Sequence, residues 1–111
     1  ATMQDRPQDI AVDATHVYWT NMGGGVKKIA KSGGDVVALA AFQGTPRGLA
    51  IDGTHVYWTN FMGGKLMKTA KSGGEIHMLA QNLKQPFGLA VDATRLYFAE
   101  SAADTLASTT K

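Results

Sequence analysis

The sequence contains no cysteine, which excludes a disulfide framework and a thiolate metal site. It has only 3 proline among 111 residues. Charge of one sign is scarce. The 11 Lys plus Arg stand against 9 Asp plus Glu, and a net of +2 is too weak a field to imply nucleic acid. No apolar run approaches the ~20 residues of a membrane span, so no membrane partner is expected. No segment holds a 3.6-residue hydrophobic period, and no signal peptide is visible. The chain opens Ala1-Thr2-Met3, as a processed or excised piece would. What is present is an apolar fraction of 44%, enough for the core of one small domain and too much for a disordered chain. There are also 13 Gly, placed at intervals that would break a helix.

The main signal is an internal repeat of about 40 residues, in the range of propeller blades. It aligns on Pro7, Pro46 and Pro86. Unit one runs Pro7-Gln8-Asp9-Ile10-Ala11-Val12-Asp13-Ala14-Thr15-His16-Val17-Tyr18-Trp19-Thr20-Asn21. Unit two matches it from Pro46 to Asn60, and unit three keeps the first part, from Pro86, and drifts after Tyr97. The repeats are 7–45, 46–85 and a partial 86–111.

Each unit reads as short strands. The first strand is Ile10 to Val12, Leu49 to Ile51 or Leu89 to Val91. An Asp-x-Thr turn follows, where Asp and Thr bond their own backbone. The second strand is Val17 to Thr20, Val56 to Thr59 or Leu96 to Ala99, rich in β-branched and aromatic residues. Glycine turns lead to a third strand, Val26 to Ala30 or Leu66 to Ala70. Ser32-Gly33-Gly34-Asp35 and Ser72-Gly73-Gly74-Glu75 read as tight hairpins needing positive φ. A fourth strand follows, Val36 to Ala40 or Ile76 to Ala80. Four antiparallel strands per unit predict an all-β propeller. Second strands are apolar on both faces, with Val17 and Trp19 on one side and Tyr18 and Thr20 on the other. That suits a sheet lying between two others, so Tyr18, Trp19, Tyr57, Trp58, Tyr97 and Phe98 are expected in the core or interface.

Tyr18-Trp19-Thr20-Asn21 and Tyr57-Trp58-Thr59-Asn60 resemble the Tyr-Trp-Thr-Asp motif of low-density lipoprotein receptor type propellers. The Pro-x-Gly-Leu-Ala-Val-Asp lead-in is similar to those and to NHL-type repeats, both in the six-bladed, TolB-like group. The motif's last Asp is Asn21 and Asn60 here, and Glu100 in the third unit. The resemblance implies six blades, whereas this chain reads as nearly three, its third unit lacking one outer strand. The resemblance implies an extracellular or periplasmic location.

An open arc leaves two apolar blade faces uncovered, which points to an interface. Propellers close at 4–8 blades, so three-blade units leave six, a homodimer about a twofold axis. Alternatives are a different chain carrying the other half, or a fragment of a longer propeller.

The chemistry in the sequence is sparse. Asp13, Asp52 and Asp92 could form a metal or acid–base set, but each falls at the same turn of its unit, beside Thr15, Thr54 and Thr94. Turn capping is the expected role. His16 and His55 are equivalent, but Arg95 fills the third place, so convergent zinc ligands are not expected. His77 is expected on an outer strand facing solvent. Trp19 and Trp58 could stack on sugars, but their strand setting favours a core role. Lys27, Lys28, Lys31, Lys65, Lys68, Lys71 and Lys111 read as a basic rim guarding sheet edges. No catalytic triad, phosphate loop or paired carboxylate stands out, and no cofactor is expected.

The expected function is therefore a non-enzymatic scaffold that self-associates into a six-bladed ring and binds a protein or small ligand at the ring face. The loops at one channel mouth nominate Gln8, Asp9, Arg47 and Phe87, with Met22 and Phe61. The alternatives are lectin-like carbohydrate binding, or an enzyme of the propeller class with a composite site at the channel.

Overall fold

The computed structural model describes residues 7–21, 25–41, 46–61, 63–101 and 105–111, without the side chains of residues 7, 8 and 41. Three antiparallel sheets follow one another along the chain. The first holds β1 (Pro7–Val12), β2 (His16–Asn21), β3 (Gly25–Ala30) and β4 (Val37–Ala41) in sequence order. The second repeats it with β5 (Pro46–Ile51), β6 (His55–Asn60), β7 (Lys65–Ala70) and β8 (Ile76–Ala80). The third has β9 (Pro86–Val91), β10 (Arg95–Glu100) and β11 (Thr105–Thr110).

Strand order and number match the expectation from the repeat, but the bounds move. First strands begin at the prolines, three residues early, and carry an irregularity before Asp9 and Leu49. The fourth strand of unit one runs Val37–Ala41 where Val36 to Ala40 was expected. The hairpins Gly33-Gly34 and Gly73-Gly74 adopt φ of 98°, 116°, 95° and 117°, a conformation that glycine tolerates without steric cost.

The register explains how the sheets stack. Side chains alternate sides along a strand, so each second strand sends two sets in opposite directions. Val56 and Trp58 join Tyr18, Val26, Leu39, Ala40 and Leu49 in one core cluster, between the first and second sheets. Tyr57 and Leu66 join Leu96 and Phe98 in another, between the second and third. Both faces of the second sheet are thus covered, and Val56, Trp58 and Leu66 are 0% exposed.

The outer sheets each keep one bare face. Tyr97 and Leu106 occupy the repeat positions of Tyr57 and Leu66, yet are 36% and 77% exposed. At the other end, Ile10 and Val12 are 64% and 57% exposed, whereas Leu49, equivalent to Ile10, is 5% exposed. Trp19, by contrast, is buried there, and Trp58 is a core residue with no open face for stacking.

The expected lysine rim needs correction. The third strands of the first two sheets are not edges: β3 lies between β2 and β4, and β7 between β6 and β8, whereas β11 is the edge of the third sheet. Lys71 and Lys111 reach across to the preceding sheet, and Lys28 donates to the Lys71 carbonyl at 2.7 Å. They are contacts between sheets rather than guards against edge pairing.

Candidate functional site

The best-defined polar assembly is built at the Asp-x-Thr turn, once per sheet. Asp13 Oδ1 accepts the backbone N–H groups of Thr15 and His16 at 2.9 and 2.8 Å. Asp52 does the same for Thr54 and His55, and Asp92 for Thr94 and Arg95. The capping role expected from the sequence is therefore present in all three units. The second carboxylate oxygen does something else. It accepts the hydroxyl of the tyrosine five residues on, at 2.9 Å for Tyr18, 2.6 Å for Tyr57 and 2.8 Å for Tyr97.

A lysine of the following sheet completes the group. Lys71 Nζ lies 2.8 Å from Asp13 Oδ2, and Lys111 Nζ lies 2.8 Å from Asp52 Oδ2. Lys71 and Lys111 are repeat equivalents, whose backbone N–H groups bond the carbonyls of Thr54 and Thr94. Sequence reasoning placed the carboxylates correctly and missed these cations. Their shared spacing after each third strand was the available signal.

The electrostatics follow the geometry. Lys71 first, then the turn N–H of Thr15, holds the Asp13 carboxyl well below the usual carboxylate range, against a desolvation cost. For Asp52 burial is the largest influence and works upward, but Lys111, Tyr57 and the turn N–H groups together outweigh it and lower the value. Burial, then the Asp13 carboxylate, pushes the Tyr18 hydroxyl up to about 12. A raised tyrosine value contributes stability that is complete below the ordinary value of 10.0 and is lost as pH climbs from there towards about 12. Phenolate absorbance should therefore show Tyr18 ionising late, together with loss of β-structure. Ionisation near 10 with the fold intact would contradict this.

The histidines are not brought together. His16 Nδ1 and His55 Nδ1 each contact the hydroxyl of the preceding threonine, at 2.8 and 2.7 Å. His77 is exposed, 3.9 Å from Glu75. Among the described residues no three His, Asp or Glu side chains are grouped to hold a metal ion.

The residues nominated at the channel mouth have different fates. Arg47, on β5, sits over the Phe61 ring at 4.2 Å, a cation–π contact. Asp9 is spent on the fold, its carboxylate accepting the N–H groups of Ile10 and Leu49 at 2.9 Å each. Phe87 is exposed and lines an open hollow of about 300 Å³ with Ala99, Glu100, Ser101, Thr105 and Leu106. Gln8 lies on β1, its side chain outside the described set, and Met22 is likewise outside the described residues.

The Asn residues that replace the motif's Asp are buried, and Asn21 Oδ1 and Asn60 Oδ1 find no donor among the described residues. A neutral amide there costs less than a carboxylate without a cation.

No family model and no curated protein matches the chain. Solved structures do. A nidogen propeller from a nidogen–laminin complex superposes with a TM-score of 0.86 at 24% identity, over 94% of this chain and 44% of that one. The virginiamycin B lyase of Staphylococcus aureus gives 0.75 at 16% identity, over 95% of this chain and 41% of that one. The computationally designed Ika4 protein gives 0.84 at 14% identity, over 97% and 68%. The chain thus spans less than half the length of the two natural proteins. With stacked antiparallel sheets, a buried Tyr-Trp-Thr-Asn strand in the first two and these structural matches, the chain has the β-propeller fold and forms an arc of three blades.

Proposed function

We propose that the chain is a non-enzymatic propeller scaffold that associates with a second copy into a six-bladed ring and binds a protein or small ligand at the ring face. The observation that carries the reading is the unequal burial of equivalent residues. Tyr18 and Tyr57 are 2% exposed where a following blade covers them, and Tyr97 is 36% exposed where none does. Apolar positions identical in the repeat are closed twice and open once, and covering them contributes ~25 cal/mol for each Å² removed from water. Arg47 on Phe61 offers a cation and an aromatic face side by side, a natural anchor for an acidic or aromatic ligand.

A carbohydrate-binding alternative built on Trp58 lacks support, because Trp58 is 0% exposed. The structural neighbours include a lyase, so a turnover screen belongs beside any binding assay. The ring itself is tested by small-angle scattering. The single arc has a Cα radius of gyration of 13.1 Å, whereas a compact particle of twice the length has about 17 Å. A value near 17 Å supports the ring. A value near that of the arc, unchanged with concentration, would overturn it.

A further inference from the structure

Each junction inside the chain uses one code. The lysine after a blade's third strand donates to the turn aspartate of the preceding blade: Lys71 to Asp13, Lys111 to Asp52. The repeat supplies a third lysine and a third aspartate. Lys31, whose N–H bonds the Thr15 carbonyl as those of Lys71 and Lys111 bond Thr54 and Thr94, belongs to the first blade, and no blade before it is among the described residues. It is exposed, and no carboxylate contacts its ammonium among the described residues. Asp92 belongs to the third blade, and no blade after it is among the described residues. Its carboxylate caps its turn and accepts the Tyr97 hydroxyl, but no interblade lysine reaches it. The Lys111 ammonium goes to the Asp92 backbone carbonyl and the Asp52 carboxylate, and Arg95 to Ser108.

We infer that Lys31 of one copy pairs with Asp92 of a second copy, so that the two open ends join head to tail and the twofold ring carries this pair at both seams. The apolar complement is in the same register. Tyr97 and Leu106 on one end match the roles of Tyr18 and Val26, which pack on Leu49 and Val56. Ile10 and Val17 hold the positions of Leu49 and Val56 on the other end. The hollow at Phe87, Ala99 and Leu106 lies where a following first strand sits at the internal junctions. There, Thr20 and Thr59 donate to the carbonyls of Arg47 and Phe87, the second residues of the next first strands. The seam differs in one respect: Ala99 replaces that threonine, so this hydrogen bond is absent from it.

The inference rests on the six-bladed reading, and one experiment separates the two. An equal mixture of ¹⁴N- and ¹⁵N-labelled wild-type chains is treated with a carbodiimide, which joins touching Lys and Asp side chains without a spacer, and digested for mass spectrometry. Lys71–Asp13 and Lys111–Asp52 serve as internal controls within one chain. A mixed-isotope Lys31–Asp92 product is expected. In parallel, Lys31→Glu should weaken the dimer about tenfold, two exposed pairs turning from attraction to repulsion. Lys31→Arg should preserve it, and Lys84→Glu, a charge reversal of an exposed lysine outside the junction code, should leave it unchanged. A dimer that yields both controls but no mixed Lys31–Asp92 product, and is indifferent to Lys31→Glu, overturns the seam and leaves the ring standing. A wild-type chain that stays monomeric throughout overturns both.

Discussion

Gly48→Ala should lower the unfolding free energy by about 3 kcal/mol, the upper range for forcing an extra carbon into a packed site. A Cβ on Gly48 would lie 1.7 Å from the Phe87 carbonyl oxygen, 2.9 Å from its carbon and 3.1 Å from Thr59 Oγ1. These atoms are locked to one another. The Gly48 N–H donates to Thr59 Oγ1 at 2.9 Å, and the Thr59 hydroxyl donates to the Phe87 carbonyl at 3.0 Å. A backbone carbonyl is not the movable end of a side chain, so the second and third blades must separate. That separation opens the cluster of Tyr57, Leu66, Leu96 and Phe98. Thermal unfolding should fall by ~10–20 °C, scaled from the shift per kcal/mol of small domains. Gly88→Ala is the control at the same repeat position, where an added Cβ meets no atom within 4 Å of this chain. Within a single arc it should change stability by less than ~0.5 kcal/mol, whereas at a ring seam its Cβ would meet the second copy's first strand and should weaken the dimer. An equal loss at Gly88 in the dissociated, monomeric chain would mean that blade spacing is not the cause.

The second large effect is expected at Asp52. Asp52→Ala removes the acceptor of Thr54 N–H, His55 N–H, the Tyr57 hydroxyl and the Lys111 ammonium together. Tyr57 is 2% exposed, so its hydroxyl cannot exchange the lost partner freely for water. Hydrogen bonds to charged groups are worth ~1.5–3 kcal/mol each and do not add, so a loss of about 3 kcal/mol is expected in denaturant unfolding. Asp52→Asn keeps an oxygen on the turn and loses the ion pair, and should cost less than half as much. Asp92→Ala, which has no interblade lysine within one chain, should cost the single arc less than Asp52→Ala and should weaken the dimer instead.

The same carboxylates set the acid limb. Asp13 and Asp52 are both lowered from 3.8 in the folded chain, so their contribution is present above that value and drains away as pH falls below it. Acid unfolding of the wild type should begin below pH ~4, and Asp52→Asn should flatten that limb. A limb that the substitution leaves untouched would show that the Lys111–Asp52 pair carries no folding energy.

Much of this architecture is legible in the sequence because it is written locally. Strand, Asp-x-Thr turn and Gly-Gly hairpin each occupy a few consecutive residues, and the repeat confirms every element by its copies. The caps of Asp13, Asp52 and Asp92 close on residues two and three positions away, so spacing alone exposes them. The partners of the same carboxylates are remote. Lys71 follows Asp13 by 58 residues, and only the stacking of one blade on the next brings them to 2.8 Å. Read locally, such a lysine faces solvent. Asp9 shows the converse: its place at a channel-mouth loop suggested a ligand contact, yet its carboxylate ties β1 to the Leu49 N–H. Variation between repeats marked a blade junction there. Phe61 and Arg47 were nominated separately from two loops, and the fold stacks them.

The central claim is that the two open ends are halves of one junction, made twice in a closed ring. Sedimentation equilibrium of the wild-type chain over a range of concentrations tests it most directly. A dimer at twice 11.8 kDa is expected, with no larger species, because a six-bladed ring leaves no end to extend. A folded species that holds at 11.8 kDa at every concentration, or an open series of higher oligomers, would contradict it.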